Sequence, residues 1–80
     1  MNTITAIKNR ILQLCEEQNL TINKLATISA LPPSSIKNIL YGKSQNPKII
    51  TIKILCDGLN ITLSEFFDTP EFAALEQEIK

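Results

Sequence analysis

The 80-residue chain has no histidine, no tryptophan and only two glycines. Without an imidazole, histidine-based acid–base catalysis and histidine metal ligation are excluded. Gly42 and Gly58 stand too far apart to form a phosphate-cradling loop or a Gly-x-Ser-x-Gly elbow. The two cysteines, Cys15 and Cys56, each lack a second cysteine two residues away, which removes zinc ribbons and dithiol redox motifs. Both lie in apolar stretches and read as reduced core residues. No apolar run approaches the roughly 20 residues of a membrane span, and the first residues lack a basic-then-apolar leader layout. These gaps point to a cytoplasmic protein that is no enzyme and needs no cofactor or metal.

What is present suffices for one small core. Hydrophobic residues make up 44% of the chain, and a chain this short buries about 60–65% of its unfolded surface, enough for a single compact domain. Net charge is zero, but its distribution is polar. Residues 1–56 hold seven basic against two acidic side chains; residues 57–80 hold one against six. A polyanion would be drawn to the first part and repelled by the second. Chance asymmetry in ordinary solvated charge explains the same counts, and charge alone does not decide.

Along the chain, Ile4, Ile7, Ile11 and Leu14 recur at steps of three and four, predicting a first helix over roughly residues 3–18 that stops at Asn19. Thr21 can cap a second, short helix of about Ile22–Ser29 carrying Leu25, Ala26 and Ile28. Pro32 disfavours helical geometry at Leu31, and Pro33 suits the first position of a third helix. Ile36, Ile39 and Leu40 give that helix a buried side, and Gly42 is expected to close it in a left-handed conformation. A polar loop follows, Lys43 to Pro47. Next come conflicting signals: Ile50, Ile52 and Ile54 alternate as in a strand, yet Ile49, Ile52, Cys56 and Leu59 fit a helical stripe. Helix signals on the C-terminal side tip the balance: a stop at Asn60 and a capping box, Thr62 to Glu65, opening a helix with Phe66 and Phe67. From Thr69-Pro70 a last amphipathic helix is expected, with Phe72, Leu75 and Ile79 on one face.

Thr21 to Gly42 therefore reads as two helices of about eight residues joined by a tight turn, the layout of a helix-turn-helix. A plain helical hairpin has the same apolar spacing. The run Leu20-Thr21, Leu25-Ala26, Leu31, Ser34, Ile36, Ile39, Gly42, Pro47, Ile52, Leu59, Ile61, Leu63, Glu65 and Phe66-Phe67 resembles the lambda-repressor-like helix-turn-helix family, the Cro/cI-type or XRE group of phage and bacterial repressors. The resemblance covers residues 7–67 without a gap. It implies an all-α, compact five-helix bundle, with the isoleucine-rich window as its fourth helix. The expected division is a helix-turn-helix domain over 1–67 and a C-terminal amphipathic helix or tail over 68–80.

Carried over by position, the resemblance places groove-facing residues at Pro33, Ser34, Ser35, Lys37 and Asn38. Serine and asparagine exchange hydrogen bonds with base edges, and lysine suits guanine acceptors or phosphate. Family phosphate contacts fall at Thr21, Ile22, Tyr41, Lys43 and Lys48, the last where some relatives aim an arginine at the minor groove. Blander roles remain open: first-turn helix residues for Ser34 and Ser35, a core-edge cover for Tyr41, a solvated loop charge for Lys43.

Departures from the family pattern are informative. Ile22 replaces a phosphate-binding glutamine. Ala30 replaces the turn glycine, at a cost of about 1 kcal/mol if the backbone there keeps a left-handed conformation, and Pro32 replaces a capping serine or threonine worth about 1 kcal/mol. Cys15 and Leu40 together replace a buried arginine–glutamate pair, an exchange that strands no charge and is expected to pack one against the other. The family pairs into dimers reading half-sites about 34 Å apart; here Ile50 and Ile54, with Phe72, Leu75 and Ile79, are the expected homodimer contact, the alternative being that the last helix folds back and covers them within one chain. The resulting expectation is a sequence-specific regulator, a repressor, of double-stranded DNA. The alternative is an antitoxin or phage-type accessory protein that works through a protein partner on its acidic C-terminal helix.

Overall fold

Helix α1 (Thr3–Glu17) begins at Asn2, whose side-chain oxygen accepts from the Thr5 N–H at 2.9 Å. It buries Ile4, Ile7, Ile11 and Leu14, the expected stripe, together with Ala6 and Cys15. Helix α2 (Ile22–Ile28) starts at Thr21, whose hydroxyl oxygen accepts from the Lys24 N–H. Helix α3 (Pro33–Tyr41) has no side-chain cap at Pro32, as its sequence requires. Helix α4 (Ile49–Leu59) occupies the ambiguous isoleucine window. Helix α5 (Leu63–Phe67) opens on the full capping box, Thr62 and Glu65 each bonding the other's backbone N–H at 3.0 Å. A single turn, α6 (Pro70–Ala73), ends the helical series. This computed structural model describes residues 1–42 and 45–79. The fold is all-α, and no strand occurs among the described residues.

Three helix ends share one device. Asn19, Ala30 and Asn60 adopt positive φ (56°, 54° and 59°). After each, the next N–H reaches back five residues: Leu20 to Cys15, Leu31 to Ala26 and Ile61 to Cys56, at 2.8–3.0 Å. Leu20, Leu31 and Ile61 then pack against the core. This is the left-handed helix stop with its accompanying apolar contact, which satisfies carbonyls that would otherwise be orphaned. The sequence shows it at Asn19 and Asn60, since asparagine tolerates the conformation. At Ala30 a methyl group is held in the same strained region.

The core gathers Ile11, Leu14 and Cys15 of α1, Leu25 and Ala26 of α2, Ile36, Ile39 and Leu40 of α3, Ile52, Leu55, Cys56 and Leu59 of α4, and Phe66 of α5. Cys15 and Leu40 are buried in this one cluster, where no charge pair is needed. Burial pushes both thiols up from their ordinary pKa. Helices α2 and α4 approach closely because of Gly58: a Cβ there would sit 2.2 Å from the Ser29 Oγ and 3.3 Å from the Ser29 Cα. Ser29 is itself buried, and its hydroxyl has no partner among the described residues.

Several expectations fail. Gly42 has φ −128°, not a left-handed value. Close approach accounts for glycine here, since a Cβ would come within 3.2 Å of the Asn38 carbonyl oxygen. Ile49 is 57% exposed and does not belong to the buried stripe, which runs Ile52, Leu55, Cys56 and Leu59; the first turn of α4 lies outside the bundle's apolar contact. The last helix stops at Ala73, so Phe72, Leu75 and Ile79 share no helix face. Only Phe72 docks well, its ring 5.0 Å from Phe67 and 6.2 Å from Phe66. Beyond it, no side chain is buried among the described residues, and Glu76 and Glu78 would oppose the dipole at the C-terminal end of a continued helix. Residues 75–79 instead reach the start of α1, where Glu78 accepts a hydrogen bond from the Thr3 hydroxyl at 2.8 Å.

Arg10, counted above with the cationic half, is committed internally. Its Nε donates to the Phe66 carbonyl and its Nη2 to the Glu65 carbonyl, both at 2.7 Å, while Nη1 holds Gln13. A guanidinium at the last carbonyls of α5 also meets the negative end of that helix.

Candidate nucleic-acid interface

Helix α3 divides cleanly into two sides. Ile36, Ile39 and Leu40 are buried, whereas Pro33, Ser34, Lys37, Asn38 and Tyr41 are exposed. Ser34, Lys37, Asn38 and Tyr41 stand at i, i+3, i+4 and i+7, so they line one outward face. Among the described residues, none of these four side chains makes a hydrogen bond or ion pair. Unpaired donors and acceptors on a rigid helix are what base-edge recognition requires. Tyr41 is 70% exposed and covers no core edge.

Beside this face lies a shallow cleft of about 340 Å³ between α3 and the start of α4. Ser35 and Asn38 form one wall, and Asn46, Pro47, Lys48 and Thr51 the other. Thus the structure brings Ser35, Asn38 and Lys48 together, three positions singled out from the sequence. Asn46 and Thr51 were missed. Their only trace in the sequence is one polar residue before Pro47 and one within an isoleucine run.

The second helix contributes less than expected. The Thr21 hydroxyl is occupied as acceptor by the Lys24 N–H and retains its proton to donate outward. Ile22 is half-buried and packs on the core, so its side chain presents nothing polar to a phosphate. Lys43 lies outside the described residues. Of the expected association residues, Ile50 and Ile79 are exposed (65% and 86%), while Ile54, Phe72 and Leu75 are half-buried. Among the described residues, no helix is long and apolar enough to cross a membrane.

Comparison with known proteins bears on this geometry. Residues 11–66 match the helix-turn-helix family HTH_3. Over 48 residues, 60% of the chain, the sequence is 46% identical to the HTH-type transcriptional repressor RghR of Bacillus subtilis. That match spans 36% of the repressor's length. The fold is similar to the crystal structure of the prophage Lp1 protein 11, with a TM-score of 0.80 and 34% identity, covering 94% of this chain and all of the other.

Proposed function

Because the chain belongs to the helix-turn-helix family of the XRE type, we propose that it is a sequence-specific regulator of transcription, a repressor, that reads double-stranded DNA with α3. The observation that carries this reading is the outward face of Ser34, Lys37, Asn38 and Tyr41, polar and internally unpartnered among the described residues, opposite a buried Ile36/Ile39/Leu40 side. A helix of nine residues anchored this way fits the major groove, its first turns toward base edges. Asn38 suits adenine, Lys37 suits guanine, and Pro33 with neighbouring methylenes suits a thymine methyl. Thr21, Tyr41, Lys43 and Lys48 take phosphates; Ile22 offers only its backbone N–H. Asn46 and Thr51 join Lys48 on the backbone-facing wall of the cleft.

Reading enough base pairs for specificity requires two copies on adjacent half-sites. Exposed Ile50, beside half-buried Ile54, supplies apolar surface for that pairing. The decisive experiment is selection from a random duplex pool. Enrichment of one sequence with two half-sites about one helical turn apart supports this reading. A pool that stays random, or retention without salt dependence, overturns it.

A further inference from the structure

The cleft between α3 and α4 has a neighbour. A second hollow, of about 440 Å³, is lined by Thr3 of α1, by Gln45, Asn46 and Pro47, and by Glu78. Asn46 and Pro47 line both hollows and form a shared rib between them. On one side of the rib stand Ser35, Asn38 and Lys48; on the other stands a carboxylate delivered by the C-terminal segment.

That segment is fastened lightly. Phe72 is its last side chain packed on the core, and past it the residues are exposed except for half-buried Leu75. Glu78 is held by the exposed hydroxyl of Thr3, and Glu76 lies 3.7 Å from the Met1 amine, also exposed. Contacts of this kind hold weakly in water. The segment therefore adds little to the core, yet it sets acidic charge beside the rib. Carboxylates within a Debye length (about 8–10 Å) of a bound phosphate oppose it.

We propose that residues 75–79 form a detachable acidic strap which, while docked on Thr3, lowers the affinity of the α3–α4 face for duplex DNA. The inference rests on the DNA-binding reading given above. Release of the strap, by a partner or by DNA itself, frees the face without rearranging the core.

Two substitutions separate charge from docking. Glu78→Gln keeps an acceptor for Thr3 but removes the charge; Thr3→Val removes the Glu78 tether, leaving only the exposed Glu76 contact with the Met1 amine, and keeps every charge. Asp68→Asn is the control, equal in charge change to Glu78→Gln at a residue lining neither hollow. In fluorescence anisotropy with a random-sequence duplex at about 50 mM salt, Glu78→Gln and Thr3→Val are each expected to tighten binding about threefold or more, an advantage that shrinks at about 200 mM. Asp68→Asn is expected to stay near the wild type. Should Glu78→Gln bind no more tightly than Asp68→Asn, or Thr3→Val leave affinity unchanged, the strap is wrong while the DNA-binding reading stands. Absence of binding by every variant overturns both.

Discussion

At Ala30 the chain asks a methyl-bearing residue to hold φ 54° so that the Leu31 N–H can reach Ala26 and the turn into α3 can form. Glycine would do this without strain. Ala30→Gly is therefore expected to raise stability by about 1 kcal/mol, read as a shifted urea midpoint at constant m-value. The face proposed to read DNA calls for a different measurement. Lys37→Ala and Asn38→Ala are each expected to cost about 1–3 kcal/mol on the selected site and to relax discrimination there. Lys48→Ala is expected to weaken all duplexes alike and to reduce the salt slope by about 1. Anisotropy titrations on matched and mismatched duplexes at several salt concentrations distinguish the two patterns. The polar and the apolar side of α3 were both legible from the sequence because residues on one helix face follow from spacing alone. Asn46 and Thr51 were not, since their place beside Asn38 depends on how the chain returns from α3 to α4, a long-range matter with no periodic signature.

Among the elements, α5 illustrates how short helices persist. Five residues cannot hold a helix alone, yet α5 has a capping box at its start, Phe66 in the core and the Arg10 guanidinium at its end. Arg10→Met keeps the methylene stem but leaves those carbonyls without their charged donor. It is expected to cost about 2 kcal/mol and to speed hydrogen exchange in α5, while α2 and α3 keep their protection. Helix bounds were predictable where local chemistry marks them: Thr21, Pro33, Asn60 and Thr62 all act at the ends assigned to them. Prediction failed where tertiary contact decides. The last helix had its apolar spacing, but only Phe72 found a partner, so one turn formed. Arg10 looked like surface charge because nothing local links it to a helix more than fifty residues away.

For the whole molecule, an envelope of 37 × 24 × 20 Å leaves α3, the proposed reading helix, with a limited footprint. Pairing through Ile50 is the proposed remedy. Sedimentation at micromolar concentration is expected to show a dimer that Ile50→Glu converts to monomer, with loss of affinity for a two-half-site duplex and little change for a single half-site. A wild type that stays monomeric on and off DNA would contradict the pairing. Gly58 governs the molecule's shape in another way. With a lone hydrogen facing Ser29, the axes of α2 and α4 nest as two rods bearing on the same point. A wedge as thin as one methyl group at that fulcrum would tilt α2 and carry α3 with it. The edge proposed to read DNA would then swing off its groove while every side chain assigned to it kept its identity.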